Sequence, residues 1–527
     1  MASRRQAVVL PVTAVLMAIV VVAPLLGSRG IALLGDMVFV PDQPWKDAWT
    51  GGDGGVPRAV PVDAWVSLVD NLVPGDVLQT VILLGLLVGA GLGVATLTTG
   101  LSGWARLAAM VMYVWNPFVH ERLAIGHWAL LCGYAALPWL VHGARRVREG
   151  DGRGWSVAVS ALAVAGWTSP TGGALCAAVL VVLLLGARSR QLVAALLAAL
   201  LVNLPWIVPG VLSTSDQAGA DPFGVAAFAA RSDTPWGLVG SLMGFGGIWK
   251  ESIIPAARDQ PLLSGMALVL VVAGLSGLWI GRRRGPAPPV GLLVVAGLGF
   301  LMALLPGLSW GRPPVEWLVV NVPGGGLLRD SQKWLMPYVL VASVGLGLLV
   351  DRLARSVPPG AHARFWLAAL VSVPVLTLPS LLIGLNGDLR PGHYPAEWDR
   401  ARATMETQGA RHDRVVVLPF GTYRRFDWMH GRAVLDPAPR FFPGHVVTDD
   451  ALVVTGGTVR GESRVAERIR SAATAEQLDE ELEAAGIRWV LLHRGDSGVP
   501  GVLPGRVVME GEELTVVDRG RRTPLGT

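Results

Sequence analysis

Apolar residues run in long blocks over the first three quarters of this chain, with few charged positions inside them. About eleven blocks approach the roughly 20 residues that a helix needs to cross a hydrocarbon layer: 8–26, 77–97, 107–118, 130–142, 155–168, 174–185, 192–212, 262–280, 290–305, 334–350 and 365–383. Beyond about residue 386 the pattern becomes that of a soluble domain. Residues 414–420 and 487–493 read as buried strands. Thr474 followed by Gln477 marks a capped helix start, and apolar residues on both sides of Glu510-Gly511-Glu512 mark a hairpin. The pattern therefore predicts a polytopic α-helical membrane domain over 1–385, with outer loops 28–76, 213–260 and 307–333, followed by a C-terminal α/β domain over 386–527. In the first outer loop Trp65, Leu68, Val69 and Leu72 recur at helical spacing, with Asp63 and Asp70 among polar neighbours. That spacing predicts an amphipathic helix, lying at the bilayer surface or packed on the bundle.

Composition gives the same class: of 527 residues 52% are hydrophobic and 16% charged, and mean hydropathy is +0.50. Arginine sets the direction of threading, because short cytoplasmic loops collect basic residues. Arg4 and Arg5 precede the first block, and alternate loops carry Arg106, the group Arg145 to Arg153, Arg188 and Arg190, Arg282-Arg283-Arg284, and Arg352, Arg355 and Arg364. The alternation implies a multi-pass protein of the cytoplasmic membrane with a cytoplasmic N-terminus, an odd number of spans and an extracytoplasmic tail. The first block lacks a small-x-small cleavage site and reads as a retained helix. Although the pI is near 9.6, the basic residues are spread as topology determinants, so the lipid bilayer is a partner and nucleic acid is not. Cys132 and Cys176 lie in predicted spans, which leaves no disulfide framework or cysteine zinc site in the tail.

Several chemistries are excluded by pattern. The chain has no phosphate loop ending in Lys-Ser/Thr, no dinucleotide fingerprint after a strand and no His-Glu-x-x-His helix. The middles of the spans lack the acids and lysines by which transporters couple ions. Ionisable groups crowd the outer face instead: Asp36, Asp42, Asp47, Glu121 and Asp330 as acids, with His120, Arg122, His127, Arg329 and Lys333 as cations. Such a set suits activation of an acceptor hydroxyl beside a phosphorylated leaving group. Nucleotide sugars are cytoplasmic, so an outward-facing transferase needs a lipid-carried donor, and a polyprenyl-phosphate sugar meets that need.

Gly35-Asp36, the stretch from Asn116-Pro117-Phe118 to Gly126-His127-Trp128, and Leu328-Arg329-Asp330-Ser331-Gln332-Lys333-Trp334 resemble the integral-membrane GT-C glycosyltransferases, in particular their actinobacterial arabinofuranosyltransferase-like branch. The resemblance covers most of the chain through short motifs. It implies transfer of a sugar from a polyprenyl-phosphate donor to an extracytoplasmic glycan, glycolipid or protein acceptor in cell-envelope biosynthesis. A first-loop carboxylate would be the catalytic base, with Asp36 in that place and Asp42 in reserve. Gly35 departs from the Asp-Asp or Glu-Asp pairs of such enzymes, which leaves a divalent metal open, and no other cofactor is called for. Arg122, His120, His127, Arg329 and Lys333 are expected on the donor phosphate, with Glu121 and Asp330 in support. Four residues apart, Arg329 and Lys333 would share one helix face.

The same residues have plainer readings. Asp36 suits a turn or a helix cap, Arg122 an ion pair with Glu121, and Asp330 a local pair with Lys333. His120 and His127 alone do not make a metal centre. Arg424-Arg425-Phe426-Asp427-Trp428 and Arg440-Phe441-Phe442 suit either a carbohydrate surface or ordinary packing. A protein that binds or translocates lipid-linked glycans, or scaffolds envelope assembly, without catalysis fits the pattern as well.

Overall fold

The computed structural model describes residues 2–52, 57–213, 219–283, 286–358, 360–494 and 504–520; Arg284 of the loop arginines lies outside them. The chain forms two compact units, one of Met1–Gly27, Thr80–Leu204 and Pro222–Leu389, the other of Ser28–Gln79, Pro205–Asp221 and Arg390–Thr527. The first outer loop thus groups with the tail, whereas the sequence pattern assigns it to the membrane domain.

The apolar blocks are mainly helical, with 107–118 broken at Trp115 and Asn116 and 365–383 broken after Thr377. Among the described residues six helices are long and apolar enough to cross a membrane: Val8–Gly27, Gly75–Leu97, Ser189–Leu212, Pro261–Gly281, Val290–Gly307 and Ser331–Ser356. A seventh is added if Ala361–Thr377 and Pro379–Gly387, bent by 72°, are one broken span. The other blocks form helices that are short, such as Gly103–Val114, or that end in charge, such as Trp128–Arg148 with Arg145, Arg146 and Arg148 in its last turn. Ser189–Leu212 exposes Leu196, Leu197, Leu200 and Leu201, a surface suited to lipid rather than water.

The Ser331–Ser356 span is by contrast almost wholly enclosed. Glycine lets it meet Pro261–Gly281 backbone to backbone: a Cβ on Gly277 would sit 2.1 Å from the Gly345 oxygen, and one on Gly345 would sit 2.1 Å from the Gly274 oxygen. Small-residue contacts of this kind drive helix association where no hydrophobic effect separates helix from lipid. They hold the middle of the Ser331–Ser356 segment in the interior.

The second unit is built on a five-stranded sheet in the order β4-β1-β7-β9-β8. In chain order the strands are β1 (Arg414–Leu418), β2 (Tyr423–Arg425), β3 (Ala433–Leu435), β4 (His445–Val447), β5 (Leu452–Val454), β6 (Gly457–Val459), β7 (Ile487–His493), β8 (Arg506–Glu510) and β9 (Leu514–Asp518). β1 runs parallel to β4 and β7, while β9 runs antiparallel to β7 and β8, so both expected strands and the expected hairpin are present. Val416, Leu418, Ile487, Val490 and Val517 pack against Ile469, Leu478 and Leu482 from the helices Arg464–Ser471 and Ala475–Ala484. The second helix starts as its sequence predicts: Gln477 N donates to Thr474 Oγ1 at 3.1 Å and Ala473 N donates to Gln477 Oε1 at 3.0 Å.

Residues 28–79 join this unit through backbone pairing. Ile31 and Gly392 exchange two hydrogen bonds of 2.9 Å, and Leu435 N donates to Gly35 O at 2.9 Å. Tyr394 Oη donates to Phe39 O at 2.9 Å. The expected helix is present as Val62–Asp70 and buries polar as well as apolar positions: Asp63, Ser67 and Asp70 are buried with Val62, Ala64 and Val66, while Leu68 and, just beyond the helix, Leu72 are exposed. The polar face turns inward because it holds the Asp42 loop. Gln43 N donates to Asp70 Oδ2 at 2.6 Å, Gln43 Nε2 to Asp63 O at 3.1 Å, and Ser67 Oγ to Gln43 O at 2.9 Å.

Trp398 is the hub of an aromatic core with Tyr394, Phe426, Phe441 and Phe442. The two phenylalanines after Arg440 are interior, Arg440 itself pairs with Asp63 and Arg424 pairs with Asp436, so these segments pack the domain.

Candidate functional site

The residues flagged by sequence fall in two places, one in each unit. In the first unit the chemistry is organised by the helix Pro117–Ala124. Asn116 caps it, accepting from Val119 N at 3.0 Å, and Pro117 occupies the first turn, where its missing N–H is no loss. Gly126, at φ +89°, ends it in the left-handed region. Gly126 N then donates to Leu123 O and His127 N to Arg122 O at 2.7 Å, a closure that wraps His127 back toward Arg122.

Arg122 is completely buried. Its Nη1 donates to Asp330 Oδ2 at 2.7 Å and to His127 Nδ1 at 2.9 Å, and its Nη2 donates to Asp330 Oδ1 at 3.0 Å and to Gln332 Oε1. Four of the five guanidinium N–H groups are therefore used, and only Nε lacks a partner. A guanidinium cannot accept, so Nδ1 of His127 carries no proton. Lys333 Nζ lies 3.4 Å from Asp330 Oδ2, and Arg329 stands over the Phe228 ring at 5.6 Å. Burial alone would raise the Asp330 carboxyl, but Arg122 and Lys333 beside it hold it well below the usual carboxylate range. Arg329 and Lys333 do not share a regular helical turn, because Asp330 breaks the chain with ψ near 87° before the Ser331–Leu335 turn. They flank Asp330 instead.

Glu121, adjacent on the same helix, points elsewhere. Its Oε2 accepts from Gln332 Nε2 at 2.8 Å, and it lies within hydrogen-bonding reach of Asp233. Asp233 belongs to a buried ion pair in the outer segment: Arg258 Nη2 donates to Oδ1 at 2.8 Å, while Arg258 Nε and Gly247 N donate to Oδ2 at 3.1 and 2.9 Å. The chain can pass here only as glycine, since a Cβ on Gly246 would come within 2.3 Å of both Arg258 Nη2 and Asp233 Oδ2. His120 is buried with Nδ1 unpartnered, and burial pushes its imidazole down to about 4. Among the described residues no three His, Cys, Asp or Glu side chains converge as a metal site.

In the second unit Asp36 sits at the tip of a tight turn. Leu34 and Met37 exchange backbone hydrogen bonds of 3.2 and 2.9 Å, and Gly35 takes φ +55°, a conformation that side chains disfavour. The phenol of Tyr423, on β2, donates to Asp36 Oδ1. Burial pushes that phenol above its ordinary range and the Asp36 carboxylate pushes it further, so Tyr423 stays a proton donor at physiological pH. Asp42 is 58% exposed and receives Arg402 Nη2 at 3.0 Å. Asp47, in the first turn of Asp47–Thr50, is exposed.

Sequence reasoning missed Tyr423, Asp233, Arg258 and the role of Gln332. A usable signal existed for Asp233 and Arg258, which are charged residues in a Gly-, Trp- and Phe-rich outer segment. None existed for Tyr423.

No family model matches the chain, and no curated protein matches its sequence. Among solved structures it is similar to the arabinofuranosyltransferase AftD from Mycobacteria, with a TM-score of 0.61 and 16% identity over 99% of this chain and 40% of that one. A mutant form of AftD gives a TM-score of 0.60 at 16% identity, covering 99% of this chain and 42% of the other. The overlap with ArnT from Cupriavidus metallidurans bound to undecaprenyl phosphate, a TM-score of 0.43 at 14% identity over 97% and 98% of the two chains, is too low to support a conclusion. The chain thus spans only 40–42% of the length of the AftD structures it matches. Over nearly its whole length the chain shares the fold of the matching part of the AftD structures.

Proposed function

We propose that the chain is a glycosyltransferase that moves a sugar from a polyprenyl-phosphate donor to a glycan, glycolipid or protein acceptor outside the cytoplasm, in assembly of the cell envelope. The observation that carries this reading is a first-loop carboxylate, Asp36, fixed by a glycine turn and the Tyr423 phenol within a GT-C fold. The reaction is a displacement at the anomeric carbon. The acceptor oxygen bonds to that carbon, its proton passes to Asp36, and the bond to the phosphate oxygen breaks, so the lipid phosphate leaves with the electron pair. The donor phosphate is assigned, as a separate proposal, to Arg329 and Lys333 beside the Arg122–Asp330 pair of the first unit. Asp42 remains the reserve base. The similarity to the arabinofuranosyltransferase AftD makes an arabinofuranosyl donor the first to try.

Purified protein is expected to transfer radiolabel from lipid-linked sugars, and Asp36→Ala is expected to lose that transfer while remaining folded. Full activity in the variant removes Asp36 from the role of base. One observation favours a second reading, binding or translocation of lipid-linked glycans without turnover: the protein's own groups already occupy most of the Arg122 donors. Saturable lipid binding with no transfer across a panel of donors would establish it. The N-terminus is placed in the cytoplasm and the tail outside. A cysteine at the exposed Glu480 should react with an impermeant maleimide in intact cells once any outer barrier is opened, with little background because Cys132 and Cys176 are buried. Labelling only after lysis of the inner membrane reverses the topology.

A further inference from the structure

Within the buried polar cluster of the first unit, Asp330 is matched by Arg122 and Lys333, and Asp233 by Arg258. Glu121 has no such partner to itself. It is fully enclosed, Oε2 accepts from Gln332, and Oε1 receives no hydrogen bond although Asp233 lies within reach. The charged groups that face it are Asp233 and Arg258 from the outer segment and Arg122 from its own helix. Two ionised carboxylates in contact away from water repel strongly, whereas one proton between them makes a hydrogen bond. That proton belongs on Glu121, because Asp233 is held in its charged form by Arg258 and Gly247 N.

We infer that Glu121 is kept as a neutral carboxylic acid that donates its proton from Oε1 to Asp233 and, through Gln332, positions Arg122. The link to Arg122 is geometric. Gln332 Nε2 spends its two protons on Glu121 Oε2 at 2.8 Å and Gly246 O at 3.2 Å, which turns the amide oxygen toward Arg122. Reversing the amide would set an NH2 group against the guanidinium. Burial, the charge of Asp233 and the hydrogen bond to it all push the Glu121 carboxyl well above its ordinary range, which agrees with the same proton count. Only the use of Arg122 toward a lipid phosphate rests on the transferase reading; the neutral acid does not.

The test uses the full chain in detergent micelles without substrate. The infrared spectrum of the unaltered protein at neutral and mildly alkaline pH is expected to contain the carbonyl stretch of a protonated carboxylic acid that disappears in Glu121→Gln. Glu121→Gln, whose amide donates and accepts as the neutral acid does, is also expected to rescue the thermal stability lost in Glu121→Ala. Absence of the Glu121-dependent band overturns the inference whether or not the protein transfers sugar, and it remains readable even if Glu121→Ala does not fold. Equal instability of the Gln and Ala variants overturns it as well. A Glu121-dependent band in a protein that transfers no sugar leaves this inference standing and removes the transferase reading instead.

Discussion

Arg122 in the first unit and Asp36 in the second are both charged residues singled out by sequence, but they are held by different means. Arg122 is enclosed, and its charge is cancelled by a bidentate carboxylate. Asp36 sits on a tight glycine turn, and its Oδ1 receives the neutral phenol of Tyr423, which fixes its position. A charge neutralised inside the protein chiefly holds the fold, because removing either partner strands the other in a low-dielectric interior.

Asp36→Asn and Arg122→Ala should therefore fail in opposite ways. The asparagine keeps an acceptor for Tyr423 and loses only the base, so the melting temperature should stay near that of the unaltered protein while transfer falls by about 100-fold or more. Arg122→Ala leaves Asp330 with Lys333 alone and takes the donors from His127 and Gln332, so unfolding in micelles should show a loss of about 3 kcal/mol. If Asp36→Asn unfolds the protein, or if Arg122→Ala is silent in stability, the contrast between the two residues is lost.

The next largest effect concerns Asp330 and acid. Its carboxyl lies below the ordinary value of about 3.9, so the stability it adds is fully present above that value and is lost only as pH falls through the lower folded value. Asp330→Asn should be less stable than the unaltered protein by about 3 kcal/mol wherever Asp330 is ionised, and the two should converge only in strong acid. Convergence in mild acid would show that the carboxylate is not held by Arg122 and Lys333.

What was legible in the sequence was local. Apolar blocks announced helices, and Thr474 with Gln477 marked the start of another. Partners across the chain were not legible: Asp36 and Tyr423 are 387 positions apart, and Arg122 and Asp330 are 208 apart. The helix Val62–Asp70 shows why periodicity is not enough. It buries Asp63, Ser67 and Asp70 beside Val62 and Val66, because Gln43 supplies and accepts hydrogen bonds that the helix alone does not reveal. Length also misleads, since several apolar blocks that suggested spans form helices too short to cross alone.

Tyr423→Phe sharpens the account of Asp36. The variant keeps the ring's packing and removes one hydrogen bond to a carboxylate, a loss of about 1.5–3 kcal/mol at most, so transfer should fall by roughly tenfold, well short of the loss in Asp36→Asn. Equal losses in the two variants would make Tyr423 a participant in the chemistry. No loss at all would mean that the glycine turn alone positions the carboxylate.

The smallest expected effect tests whether the Asp42 loop is held, as Asp36 is, by hydrogen bonds rather than by charge. Burial pushes Asp70 up to about 6 despite the Gln43 N–H that it accepts. Its folded value then lies above the unfolded value of about 3.9, so between these values the folded protein binds more protons than the unfolded chain and stability falls as pH rises. Above about 6 the full penalty of burying the charge remains. Asp70→Asn retains an oxygen for Gln43 N and removes the charge, so the fall between about pH 4 and 6 should disappear, and at neutral pH the melting temperature should rise by about 2–4 °C, the equivalent of about 1 kcal/mol. A drop instead would show that the charge of Asp70 is needed to fix Gln43, and with it the loop that carries Asp42.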